Sequence, residues 1–223
     1  MKSYKFRTKF IIYFVIIFFI LMFISVVFIQ SSYKSVLILN KTETFLLSAL
    51  FLLFIVLADR FPIVYYTRYK GAAEVTVSFA LNFSIAFLFP SVLAMCITFI
   101  GSALADILNK KEPHKIIFNA SMIGLATGGT SFIFRRFYDL TLPLTNPHNL
   151  LILIIASIFY IFVESFFLYS LLATLTGASF VKFWRYNLKK ISLALLSLFP
   201  LGIIIIYFFT TNIWMNLFLL PTF

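Results

Sequence analysis

The chain has 223 residues, of which 62% are hydrophobic and 11% charged, with a formal net charge of +11. A water-soluble domain carries about 45–50% apolar and about 25% charged residues, so lipid must solvate most of this chain. The cations fall between apolar runs rather than along one stripe, which argues against nucleic acid and for loops held at anionic headgroups.

A spanning helix needs roughly 20 mainly apolar residues. The first candidate, residues 10–29, follows "MKSYKFRTK". It is too long for a signal peptide and no A-x-A-like site follows, so it reads as a retained span. Residues 43–57 form the second. Residues 75–89 and 91–108 form the third and fourth, divided by Pro90, whose ring and missing N–H disfavour a continuous helix. Residues 116–134, 150–172 and 191–209 supply the fifth, sixth and seventh. The final "IWMNLFLLPTF" is apolar but too short to cross, like the start of a truncated eighth. The expectation is one all-α, polytopic helical bundle over residues 1–223, with no soluble domain.

Seven spans with a cytoplasmic N-terminus place fourteen Lys and Arg inside and four (Lys34, Lys41, Arg135 and Arg136) outside. The positive-inside rule favours that orientation. Residues 58–75 carry three tyrosines and a proline among opposite charges and read as a segment at the membrane surface. Residues 179–190 interleave Phe180, Phe183, Trp184 and Tyr186 with four cations. They read equally as an interfacial helix or as a basic loop with aromatic anchors.

An acid in a span is costly, and Glu164 lies near the middle of the sixth. Ser157 and Tyr160 precede it by seven and four residues, so the three share one helical face. Glu164 is either part of a ligand, ion or proton site or a hydrogen-bonded carboxyl that locks two helices together. Asn82 in the third span is a weaker case of the same kind.

Small residues recur every fourth position at Ala120, Gly124 and Gly128, and again at Gly101 and Ala105. Such grooves let helices approach closely, so the fourth and fifth spans are expected to pack through both. Asp106 and Asn119 flank a turn bearing Lys110, Lys111 and Lys115. Asp106 near a helix end opposes the helix dipole, so one of these lysines should offset it in a polar latch at the cytoplasmic edge. Cys96 reads as a small buried hydrophobe, and His114 and His148 as solvated loop residues.

HExxH, G-x-S-x-G, the Walker loop, G-x-G-x-x-G and CxxC do not occur in the sequence, which gives no catalytic signature, cofactor or metal set. Read together, "EVTVSFA", "FPSVLA", "GSALADILNKK" and "KIIFNAS" resemble the membrane-associated sensor (MASE-type) domains of bacterial cyclic-di-GMP signalling proteins. The resemblance covers residues 58–130, and the matching positions are Glu74, Ser78, Pro90, Gly101, Asp106, Phe118 and Asn119. A glutamine expected soon after the asparagine is replaced by Ser121 and Met122.

The resemblance implies a non-catalytic sensor module of the bacterial inner membrane, with a further helix leading to a GGDEF or HD-GYP output domain. The sequence ends before either, so it reads as a truncated sensor or as a protein whose last segment lies on the membrane. Expected partners are the lipid bilayer, a second copy or a separate signalling subunit, and an unidentified small ligand. A second class is transport: length and layout are similar to the substrate-binding (S) components of energy-coupling-factor transporters, with Ala120, Gly124 and Gly128 docking a partner subunit.

Overall fold

The computed structural model describes residues 2–29, 41–60, 63–66, 72–75, 77–139, 141–142, 146–177, 179–181, 184–185 and 200–207. Six helices carry the architecture: α1 (Lys2–Ile29), α2 (Lys41–Ala58), α3 (Ser78–Leu88), α4 (Ser91–Leu108), α5 (Pro113–Phe137) and α6 (Pro147–Thr176). Among the described residues, α4, α5 and α6 are long and apolar enough to cross a membrane. Most of the expected seventh span and all of "IWMNLFLLPTF" lie outside the described residues; residues 200–207 are helical.

The segment expected at the membrane surface, residues 58–75, contains an antiparallel hairpin, β1 (Ile63–Tyr66) paired with β2 (Ala72–Val75). "IVYY" is β-branched and aromatic, the composition that suits a pleated surface. This corrects the third predicted span, because Val75 belongs to β2 and α3 begins only at Ser78. All eleven residues of α3 are buried. At 1.5 Å per residue α3 is about 16 Å long, roughly half the hydrocarbon thickness of a bilayer. A helix apolar all round is a core element, so α3 is a short plug inside the bundle rather than a wall of it.

Helix α5 is the axis of the bundle, packing against α4, α6, α1 and α3, while α2 covers α3 and α4. Phe51, Phe54, Phe83, Phe87 and Tyr160 belong to the larger core cluster. Ile12, Val15, Phe118, Met122, Leu125 and Phe167 join α1 to α5 and α6. On the outside, Phe14, Ile17 and Leu21 of α1, Phe45 and Leu46 of α2, and Ile154, Ile158 and Phe162 of α6 are exposed. Apolar faces of this extent belong against lipid.

The small-residue expectation is corrected in its partners. Gly101 faces Ile55 of α2, where an added Cβ would come within 2.8 Å of Cδ1. A Cβ added at Gly124 would come within 2.6 Å of the Phe19 ring of α1, and of the three only Gly128 faces α4, through Met95. Each glycine therefore receives a large side chain rather than the small groove of its neighbour. Ala105 and Ala120 are buried on the same helices.

The break between α3 and α4 has its own chemistry. Pro90 donates no amide hydrogen, and the last carbonyls of a helix have no intrahelical partner. Phe89 O accepts from Ser131 Oγ at 3.0 Å and from Arg135 Nε at 3.1 Å, and Arg135 also reaches Phe87 O at 3.4 Å. A cation at a helix C-terminus also complements its dipole. Arg135, expected as an outer-loop charge, is thus a part-buried cap on α3.

At the same end, Asn149 is buried and donates to Asp139 O at 2.9 Å and Leu142 O at 3.1 Å. The hydroxyl and amide of Thr141 both donate to the Asp139 carboxylate, holding it below its ordinary pKa. His148, expected as a solvated loop residue, sits in the first turn of α6 with Nε2 3.1 Å from Phe137 O.

Candidate functional site

Four helices converge at the lysine end of the bundle. Helix α4 closes with Lys110 N donating to Ile107 O and Lys111 N to Asp106 O, the paired bonds of a Schellman motif. Lys110 holds the left-handed position at φ 54°, where glycine is usual. Its contribution to the turn is therefore made by the backbone, and its side chain is exposed.

Asp106, 5% exposed, binds Lys111 Nζ at 2.7 Å through Oδ1 and accepts from Asn119 Nδ2 at 2.7 Å through Oδ2. One carboxylate thus ties the end of α4 to the turn and to α5. Lys115 pairs with Glu112 at 3.2 Å rather than with Asp106, and His114 lies 3.3 Å from the same Glu112. Of the three lysines expected to offset Asp106, Lys111 does so, while Lys115 is one helical turn from Glu112 and pairs there.

Asp59, just past the end of α2, joins this end to the interior. Its carbonyl accepts from Asn109 Nδ2 of α4 at 3.3 Å, and its Oδ1 from Ser78 Oγ of α3 at 2.5 Å. The Asp59 carboxylate is also within electrostatic reach of Glu164. The "LADRFP" stretch signals it in retrospect, as an acid placed immediately after an apolar run.

Deeper in the bundle, α6 carries Tyr160 and Glu164 one turn apart on the face toward α3 and α5. The Tyr160 ring is fully buried, edge-on to Phe79 at 5.2 Å and to Phe83 at 5.9 Å. Those two rings belong to α3, and Asn82 lies between them in sequence on the same side of that helix. The hydroxyls of Tyr160 and of Thr127 on α5 are neighbours without closing a hydrogen bond.

Asn82 Oδ1, Thr127 Oγ1, Tyr160 Oη and Glu164 Oε2 are all buried and have no hydrogen-bond partner among the described residues. Buried polar groups are nearly always paired, so several orphans on adjoining helices require an explanation. Ser157, grouped with Tyr160 and Glu164 on sequence, spends its hydroxyl on Leu153 O at 2.6 Å. Thr127, not singled out on sequence, is among the groups without a hydrogen-bond partner.

Near the far end of α6, Phe180 and Trp184 lie against Phe166, with ring centroids at 5.7 and 6.2 Å. Trp184 also meets Phe162 and Tyr169, at 5.9 and 5.8 Å. These residues of the 179–190 segment pack on α6; Lys182, Phe183 and Tyr186 lie outside the described residues.

A helical membrane domain with a polar cluster in its core is the class that this arrangement defines. The MASE9 family model matches residues 35–223, and the chain belongs to this family of membrane-associated sensor domains. No curated protein and no solved structure matches the chain.

Proposed function

We propose that the chain is a non-catalytic sensory module of the bacterial inner membrane, with a cytoplasmic N-terminus, that reads its signal at the cluster of Asn82, Thr127, Tyr160 and Glu164. The observation that carries this reading is the set of four buried oxygens without partners on α3, α5 and α6. Leaving a buried polar group unsatisfied costs about 1–3 kcal/mol, so the cluster is destabilising until something engages it. A ligand that supplies donors removes that cost and biases the helices that carry them.

Transmission follows from connectivity. Glu164 lies in electrostatic reach of Asp59, and Asp59 is bonded to both Ser78 of α3 and Asn109 of α4. A ligand that moves α3 or α6 therefore acts on the end of α4, on the Asp106–Lys111–Asn119 latch and on α5. The lysine end is cytoplasmic in this reading, by the fourteen-to-four distribution of cations. It is the end that faces a signalling partner, in cis or in a second chain, for which cyclic-di-GMP enzymes are the expected class. The transport reading needs Gly124 and Gly128 free to dock a partner, and they are covered by Phe19 and Met95 of this chain.

The test is a fusion of the chain to a diguanylate cyclase reporter, with cellular cyclic-di-GMP as the readout. Glu164→Gln is expected to change output several-fold at equal membrane abundance. Equal output from both proteins, across growth conditions that alter the wild-type signal, would count against the cluster as the sensing site.

A further inference from the structure

The orphan atoms of this cluster share one chemistry, as does the Ser102 hydroxyl of α4, a further buried oxygen without a hydrogen-bond partner among the described residues. Asn82 Oδ1, Thr127 Oγ1, Tyr160 Oη and Glu164 Oε2 are all oxygens, and no buried side-chain nitrogen among the described residues lacks a partner. Two of the four are hydroxyl oxygens, which accept as well as donate, and the other two are a carbonyl and a carboxyl oxygen, so all four can turn lone pairs toward a positive charge. Among the described residues an anionic ligand finds no counter-charge at the cluster: Arg135, the part-buried cation of α5, lies two turns beyond Thr127 and is committed to Phe87 O and Phe89 O.

Charge and ligand type narrow the occupant further. Glu164 makes no salt bridge among the described residues. The second carboxylate in reach, Asp59, already accepts from Ser78 through Oδ1. One available carboxylate oxygen with three neutral oxygens is a sparse set for a divalent ion, which prefers several carboxylates and retained water. Softer transition metals want imidazole or thiolate, and the described residues hold no group of three His, Cys, Asp or Glu placed for a metal. The walls are aromatic, with Phe79 and Phe83 in T-shaped contact with Tyr160, so they add no oxygen to hold the retained water that a divalent ion keeps.

We infer that the cluster binds a compact monovalent cation, an alkali-metal ion or a small protonated amine, with Glu164 as its charge partner and Asn82, Thr127 and Tyr160 as neutral oxygen ligands. The inference rests on the sensory reading of this cluster and names its ligand class. Binding tightens α3, α5 and α6 around one charge, which is a change that the Asp59 junction can relay.

The test is thermal unfolding of the full chain in detergent, in chloride salts of sodium, potassium, methylammonium and bulky N-methylglucamine at one ionic strength. One compact cation is expected to raise Tm saturably by several degrees over N-methylglucamine, because a ligand bound only by the folded state stabilises it. A rise with sodium or potassium assigns an alkali ion, and a rise with methylammonium alone assigns an amine. The increment should vanish in Glu164→Gln and shrink in the near-isosteric Thr127→Val, which removes one oxygen with little change of volume.

Identical Tm of the wild-type protein in all four salts overturns the inference, and so does an undiminished increment in both variants. If the salts are equivalent while Glu164→Gln still alters reporter output, the cation is wrong and the sensing site stands. If both measurements are flat, both readings fall.

Discussion

Arg135→Met is expected to destabilise the detergent-solubilised protein by about 3 kcal/mol, the upper end of the range for a hydrogen bond to a charged group. The guanidinium donates to Phe89 O at 3.1 Å and Phe87 O at 3.4 Å, at the break where Pro90 offers no amide. Phe89 O retains the Ser131 hydroxyl at 3.0 Å, so the loss falls on the charged bond and on Phe87 O. Arg135→Lys should recover part of the loss, because an ammonium keeps the charge near the helix end but not the fork. Arg136 is exposed one residue on, and Arg136→Met should cost no more than about 1 kcal/mol, the ceiling for an exposed charge interaction. Denaturant titration of the three variants measures the order; equal effects at the two arginines would remove the capping role.

Lys111→Met should cost about 1.5–3 kcal/mol, the value for a charge-assisted bond. A fully buried pair broken on one side costs roughly 3–5 kcal/mol. The smaller figure applies because the Lys111 side chain is 29% exposed, although its partner Asp106 is at 7%. The variant leaves the Asp106 carboxylate buried with Asn119 as its remaining side-chain partner in the latch. Lys115→Met removes an exposed pair with Glu112 and should cost no more than about 1 kcal/mol. Lys110→Gly should act in the opposite direction, since it relieves a left-handed residue worth roughly 1–2 kcal/mol. The same titration reads all three, and a Lys115→Met loss as large as that of Lys111→Met would contradict the latch as drawn.

The long helices were legible because their apolar runs are continuous and their breaks are chemical. Pro90 divides α3 from α4, and the lysine turn divides α4 from α5, where the sequence places those ends. The start of α3 was misplaced because "EVTV" is apolar and β-branched, and a short run of that kind does not distinguish strand from helix. Glu164 stood out because an acid in lipid is expensive wherever it points. Thr127 did not, since a threonine among glycines and alanines reads as part of a smooth face; only the approach of α6 makes its hydroxyl a neighbour of Tyr160.

Asp59 and Arg135 were hidden for a related reason. Each looks like a loop charge in one dimension, and each works through partners 19 to 50 residues away. The small-residue spacing identified which helices could approach closely, but not that aromatic and aliphatic side chains would fill the gaps.

The account turns on Glu164, a half-buried residue whose Oε2 is closed off from solvent, being a carboxyl that a ligand engages. The most direct measurement is labelling of the purified chain with dicyclohexylcarbodiimide, an apolar carboxyl reagent, read by mass spectrometry of the Glu164 peptide. The account predicts that Glu164 is modified in N-methylglucamine chloride, that a water-soluble carbodiimide reaches it far more slowly, and that the stabilising cation protects it. Equal labelling by both reagents, with no protection by any of the four salts, would contradict it.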